Sequence, residues 1–174
     1  MLDVAVFSFS VLVLSYLGVG GLQKWAEHRR VLDIPNERSS HTRPTPRGGG
    51  LVIVALSTIG LAVAWFLYPV WPPTTLFAYL VAAWLIAGVS WLDDLQSLPS
   101  RVRLATHSLG AILAILAFGY WRVVSIPLIG SLDMGWLGLL ITFVWIVGLT
   151  NAYNFMDGID GIAGGQAVVA GLGW

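Results

Sequence analysis

The chain has 174 residues, 57% of them hydrophobic and only 10% charged, with a formal net charge of zero and a mean hydropathy of +0.80. A water-soluble domain carries about 25% charged residues, so this composition excludes an ordinary soluble fold, and no nucleic-acid partner is expected. Cysteine is absent, which excludes a disulfide framework and thiolate chemistry.

A membrane helix needs roughly 20 apolar residues. Stretches of that kind follow one another at Val4–Gln23, Leu51–Pro69, Thr75–Leu92, Leu104–Trp121 and Trp136–Asn151. A sixth opens at Ile162 and is cut off at Trp174, so residues 1–174 read as a single transmembrane domain, truncated at the C-terminus and part of a longer protein. The first stretch begins Met1-Leu2-Asp3, without a basic lead, and has no small-x-small pattern before Lys24. It is therefore read as a helix and not as a secretory signal. The expected fold is all-α: a polytopic transmembrane helical bundle of five full spans plus the start of a sixth. Gly18, Gly20 and Gly21 predict close helix packing. Trp71, Trp91, Tyr120, Trp121 and Trp136 fit interfacial belts, whereas Trp84 and Trp145 fall mid-span and suit packing or lipid contact.

Loop charges give the orientation. The first loop, Lys24–Arg47, holds Lys24, Arg29, Arg30, Arg38, Arg43 and Arg47; the second, Val70–Thr74, holds none. The third, Asp93–Arg103, holds Arg101 and Arg103, and the fourth, Arg122–Gly135, only Arg122 against Asp133. This alternation predicts an N-terminus outside and a cytoplasmic face made by loops one, three and five. The acidic residues gather on that same face, which the positive-inside rule does not explain.

Polar chemistry concentrates in separate constellations there. Asp93-Asp94 ends the third span. Carboxylates at a helix C-terminus are unfavourable unless a cation offsets them, and Mg²⁺ takes oxygen ligands, often one or two carboxylates plus substrate phosphates. Capping of the next helix by Asp93 or Asp94 is the alternative. After the fifth span comes NAYNFMDGIDGIAGG, Asn151 to Gly165, with Asn154, Asp157 and Asp160 at helical spacing and Gly158 and Gly161 allowing close approach. A polar turn would need fewer such residues. In the first loop, Asp33-Ile34-Pro35-Asn36 is followed by His41-Thr42-Arg43-Pro44-Thr45-Pro46-Arg47-Gly48-Gly49-Gly50. Arg can clasp phosphate through two hydrogen bonds, and a helix N-terminus favours anions. Arg43, Arg47, Gly49 and Gly50 are read as candidate phosphate-binding positions. Lys24, Arg29 and Arg30 are read as topology and lipid charges. His41 reads as a loop residue or a phosphate contact, and His107, one turn into the fourth span, as a polar packing or interface residue. An acidic cluster beside a basic, Gly-rich loop suits a reaction between a water-soluble diphosphate and a lipid-borne group.

At these residues the chain resembles the polyprenyl-phosphate N-acetylhexosamine-1-phosphate transferases of glycosyltransferase family 4, which include phospho-MurNAc-pentapeptide translocase and the initiators of O-antigen and related glycans. Asp33–Asn36, the His41–Gly50 loop, Asp93-Asp94 and NAYNFMDGIDGIAGG occur in the family's order, and the loop RSSHTRPTPRGGG is more similar to the O-antigen initiators. The resemblance implies a Mg²⁺-dependent transferase of the bacterial inner membrane with a cytoplasmic active face. It would move a sugar 1-phosphate from a UDP-N-acetyl sugar to undecaprenyl phosphate, releasing UMP and starting a lipid-linked cell-envelope glycan. By position, Asp93, Asp94 and Asp157 match the family's catalytic aspartates, with Asp94 and Asp157 as metal ligands. Asn154, Asp160, His41, Arg43, Arg47, Gly49 and Gly50 are the expected substrate-binding residues. The family's later aspartate and His-containing loop would fall beyond Trp174, so the 174 residues alone are expected to be inactive. No Lys follows the aspartate pair, which leaves a cationic role to Arg101, Arg103 or the first loop. Weaker readings are a CDP-alcohol phosphotransferase, disfavoured because Gly164 follows Ala163 where an Arg is needed, and a cation-coupled transporter, which would place its carboxylates near mid-membrane.

Overall fold

The computed structural model describes residues 2–35, 43–128, 130–156 and 162–173. In chain order the elements are α1 (Leu2–Arg29), β1 (Leu32–Asp33), β2 (Thr45–Pro46), α2 (Gly50–Leu67), α3 (Pro73–Gln96), α4 (Ser100–Phe118), β3 (Val123–Ile126), β4 (Gly130–Asp133), α5 (Gly135–Met156) and α6 (Ile162–Leu172). Among the described residues α1 to α5 are the helices long and apolar enough to cross a membrane, as the hydropathy pattern predicts. Two short antiparallel ribbons, β1–β2 and β3–β4, are additions to the all-helical expectation.

The helix ends follow from local chemistry. α1 runs past the apolar stretch to Arg29 and stops in a Schellman arrangement: Arg30 takes φ 58, its N–H reaches the Glu27 carbonyl, and Val31 N–H reaches that of Ala26. α3 starts on Pro72-Pro73, where a missing N–H is harmless, and ends at Ser97 with φ 50. Pro99 then precedes α4, since a proline ring cannot continue the preceding helix.

Successive spans pack antiparallel. Phe7 and Gly18 of α1 meet Gly60 and Val52 of α2, and Tyr79 near the start of α3 stacks edge-on with Phe118 at the end of α4. Ile112 and Leu116 of α4 face Phe143 and Leu139 of α5 across a shared groove. The protein core is thin. Among the described residues its buried apolar side chains are Ala26, Leu76, Ala82 and Ala111, while Phe66, Leu116 and Trp136 are exposed. That distribution suits a bundle whose solvent is hydrocarbon, where small residues bring helices together and large ones meet lipid. A Cβ on Gly18 would lie 2.7 Å from Val52, and one on Gly110 2.7 Å from Ile86. Gly20 and Gly21, also expected at a helix contact, have nothing within 4 Å of such a Cβ. Among the described residues no other element reaches either position.

His107 is buried to 4% exposure between neighbouring spans, and its Nδ1 has no hydrogen-bond partner among the described residues. This placement fits the packing reading.

Candidate active site

Alternating helix directions bring one set of ends together: the C-terminus of α1, the β1–β2 ribbon, the N-terminus of α2, the C-terminus of α3, the N-terminus of α4 and the C-terminus of α5. Asp93 and Asp94 lie inside the last turn of α3, both partly buried. Each carboxylate there opposes the helix dipole by about 0.3–1 kcal/mol, so local compensation is required.

Asp93 and Asp94 meet that requirement differently. Asp93 Oδ1 accepts the Leu98 N–H at 2.6 Å, closing the turn between α3 and α4. Its Oδ2 lies 3.5 Å from Arg103 Nη1. Capping of the next helix is therefore not what Asp93 does: it stabilises the turn after α3, and the α4 N-terminus, on Pro99, has no side-chain cap. Asp94 instead lines a cavity of about 220 Å³ with Gly48, Gly50, Ser90 and Trp91. Its backbone carbonyl accepts a hydrogen bond from Arg47 Nη1 at 3.0 Å. A hydrogen bond from a charged donor contributes about 1.5–3 kcal/mol, enough to offset the dipole term.

Arg47 ties three segments together. Its Nη2 is hydrogen-bonded and ion-paired with Asp33 Oδ1 of β1. Its backbone N–H donates to the Val31 carbonyl at 3.1 Å, and β1 pairs with β2 through Leu32↔Pro46 and Asp33↔Thr45. The ribbon thus delivers Gly48 to Trp91. Gly48 adopts φ +95, and a Cβ there would come 2.4 Å from Trp91 Cζ3, so this position requires glycine. Trp91 is braced in turn by Trp25, ring centroids 6.1 Å apart. Gly49 is the N-cap of α2 and supplies no side-chain cap. Leu51 N–H donates to the Gly48 carbonyl at 3.0 Å, and Gly48, Gly50 and Leu51 line the cavity, so the α2 N-terminus, which favours anions, sits at its wall.

The structure brings Asp94, Gly48, Gly50 and Arg47 into one neighbourhood, with Gly49 between them. Arg43 is exposed on the approach to β2. Asn154 is exposed in the last turns of α5, at the same end of the bundle across α4. His41, Asp157 and Asp160 lie outside the described residues. Sequence reasoning missed Trp91 and the Asp33–Arg47 pair as parts of this site. An aromatic at i−3 from Asp94 shares its helix face, which was the available signal for Trp91; nothing local announces a contact between residues 33 and 47.

Residues 76–174 match the family model described as glycosyl transferase family 4. The chain is 33% identical over 140 residues to the probable undecaprenyl-phosphate N-acetylglucosaminyl 1-phosphate transferase of Bacillus subtilis (strain 168), covering 79% of the chain and 38% of that protein. It is 28% identical over 181 residues to the decaprenyl-phosphate N-acetylglucosaminephosphotransferase of Mycobacterium tuberculosis, covering 98% of the chain and 44% of the relative. Against the phospho-N-acetylmuramoyl-pentapeptide-transferase of Lacticaseibacillus paracasei it is 29% identical over 140 residues, 72% of the chain and 42% of the relative. The chain thus spans roughly two fifths of the length of these relatives. The matched residues run from α3 through Asp93-Asp94 and the Asn154 segment to the end of the chain, and on that match the chain belongs to glycosyl transferase family 4.

Proposed function

We propose that the intact protein transfers a sugar 1-phosphate from a UDP-N-acetyl sugar to undecaprenyl phosphate, releasing UMP, at the cytoplasmic face of the bacterial inner membrane. The product would start a lipid-linked cell-envelope glycan. The observation that carries this reading is the meeting of Asp94 with the Gly48–Gly50 turn at one end of a lipid-exposed bundle. The relatives' names, polyprenyl-phosphate or phospho-N-acetylmuramoyl-pentapeptide transferases, support the same reaction class.

In this reading an oxygen of the lipid phosphate attacks the sugar-bearing phosphorus of the donor. A new P–O bond forms, the bond from that phosphorus to the bridging oxygen breaks, and UMP leaves with the electron pair. Phosphoryl transfer asks the protein mainly for positioning and charge stabilisation. Asp94, on the cavity wall, orients or deprotonates the attacking phosphate together with Asp157. Asp93 holds the turn that presents Asp94. Gly49, Gly50 and the α2 N-terminus receive phosphate oxygens, with Arg43, His41, Asn154 and Asp160 as the remaining substrate contacts, while Arg47, expected from sequence as a further contact, instead positions the site through Asp33 and the Asp94 carbonyl.

Among the described residues no group of three or more His, Cys, Asp or Glu gathers. The hard oxygen donor at the cavity is Asp94, which fits a cation that takes one or two carboxylates and completes its shell with substrate phosphates. Asp94 and Asp157 would hold Mg²⁺, which when bound neutralises charge on the diphosphate.

The test uses membranes carrying the intact gene product, UDP-N-acetylglucosamine labelled in the sugar-bearing phosphate, and added undecaprenyl phosphate. Label should pass to lipid with equimolar UMP, cease with EDTA and return with Mg²⁺. Cation-dependent solute transport without UMP release would overturn the assignment in favour of a transporter. A phosphorylated aspartate trapped during turnover would replace the direct attack with a two-step route. The 174-residue chain assayed alone should give no UMP above a no-enzyme control.

A further inference from the structure

The β3–β4 ribbon lies at the end of the bundle opposite the candidate active site, between α4 and α5. Its pairing, Val124↔Leu132, Ser125↔Ser131 and Ile126↔Gly130, divides it into two faces. Side chains alternate across a strand, so Val124, Ile126 and Leu132 share one face. The other carries Ser125, Ser131 and Asp133, with Val123 at its root. Leu132 is 51% exposed although it belongs to the apolar face. Between Arg122 and Asp133 the sequence holds no charge.

The connection at the tip is unusual for water. Leu128 takes φ +71 and is fully exposed, at 107% of its reference area. Positions of that conformation in hairpins are normally given to Gly, Asn or Asp, and a two-stranded hairpin is marginal in water without a surface to pack on. A leucine held there gains nothing from the protein.

The root of the ribbon is continuous with the lipid-facing surface. Trp121 N–H donates to Thr142 Oγ1 at 3.0 Å, holding the end of β3's lead-in beside the first turns of α5. Met134 N–H donates to the Arg122 carbonyl at 2.7 Å. Tyr120, Trp121 and Trp136, the residues that mark a bilayer interface, flank the root and are all exposed.

We propose that this ribbon is a membrane-surface anchor: it lies in the headgroup region with Val124, Ile126 and Leu132 toward the acyl chains, Leu128 inserted at the tip, and Ser125 and Ser131 toward water. The occupant of its apolar face is the lipid bilayer itself.

These 174 residues contain no cysteine, so single-cysteine variants can be read directly. Leu128→Cys, Leu132→Cys and Ser131→Cys, each in the intact protein with any further cysteine replaced by serine, are labelled with an environment-sensitive fluorophore. They are then reconstituted in phosphatidylcholine–phosphatidylglycerol vesicles. Quenching by doxyl-labelled lipids should place the labels at positions 128 and 132 about 5–10 Å into the headgroup–acyl boundary, shielded from aqueous iodide, and the label at 131 should show the reverse. Equal iodide quenching at all these positions overturns the proposal, because the ribbon then stands in water. Protection of 128 and 132 from both quenchers also overturns it, because protein then covers the face. Protection that fades on dilution of protein in lipid would identify that cover as a second copy. Each leucine position reports independently, so the loss of one variant leaves the other decisive.

Discussion

Arg47 holds Asp94 by its backbone, donating from Nη1 to the Asp94 carbonyl at 3.0 Å while Nη2 engages Asp33. The guanidinium is thus a brace between the first loop and the end of α3, close to the carboxylate on which the proposed reaction turns. A planar fork can bridge the carboxylate and the carbonyl at once; a lysine ammonium is a single point charge.

Arg47→Lys should therefore lower kcat of the intact enzyme by roughly 10-fold, and Arg47→Ala by roughly 100-fold, as expected for losing about 1.5–3 kcal/mol of charge-assisted bonding. Asp33→Asn should reproduce the smaller effect, because it weakens one arm of the brace. Steady-state kinetics on all three variants check this. If Arg47→Lys raised only the donor KM and Asp33→Asn did nothing, Arg47 would be a direct phosphate contact whose pairing with Asp33 is incidental.

Asp93 and Asp94 should separate on substitution. Asp93→Asn keeps an oxygen for the Leu98 N–H and loses only the partly exposed pairing with Arg103, worth well under about 1 kcal/mol. Its turnover should fall about 10-fold or less, with a small drop in Tm. Asp94→Asn keeps the size of the side chain and should remove at least about 10³-fold in rate, the scale of a lost charge-stabilising or base function. Comparable losses for both, with Tm unchanged in both, would mean that Asp93 also acts on the substrate.

The spans were legible because hydropathy and length are local properties: every predicted stretch lies within a helix or overlaps one almost completely. Asp93-Asp94 stood out for the same reason, as charges where apolar periodicity ends. What escaped depends on distance in sequence. β1 and β2 are too short, and β2 ends on a proline, to give any strand signal; they form because Arg47 finds Asp33 and Val31. Sequence alone treats Asp93 and Asp94 as one metal or capping pair, whereas packing assigns the turn to Asp93 and the cavity to Asp94. Gly20 and Gly21 looked equivalent to Gly18, and only the position of α2 distinguishes them.

Gly48 and Gly49 are adjacent yet should respond oppositely. Gly48→Ala meets both an unfavourable φ and the Trp91 ring at 2.4 Å. It should destabilise the protein by about 1–2 kcal/mol from backbone conformation alone, with a further steric part that Trp91→Ala relieves. Gly49 has φ −51 and nothing within 4 Å of a built Cβ, so Gly49→Ala should leave Tm unchanged. Activity lost from Gly49→Ala at constant Tm would mark a ligand approaching that backbone closely. Full activity would remove Gly49 from the phosphate-binding set.

The glycines of α1 offer the same kind of contrast inside the membrane. Gly18→Ala places a methyl 2.7 Å from Val52 Cγ1, so α1 and α2 must separate or Val52 must change rotamer, a strain of about 1–3 kcal/mol in packed interiors. Gly20→Ala and Gly21→Ala add a methyl where α2 does not reach, and alanine is the better helix former by about 1 kcal/mol. Thermal unfolding of the intact protein in one detergent should give a lowered Tm for the first variant and an unchanged or raised Tm for the other two. Pairing Gly18→Ala with Val52→Ala should recover most of the loss, because the contact that strains the single variant is then gone. A lowered Tm for Gly20→Ala would instead mean that another helix of the intact protein packs on the face of α1 that α2 leaves open.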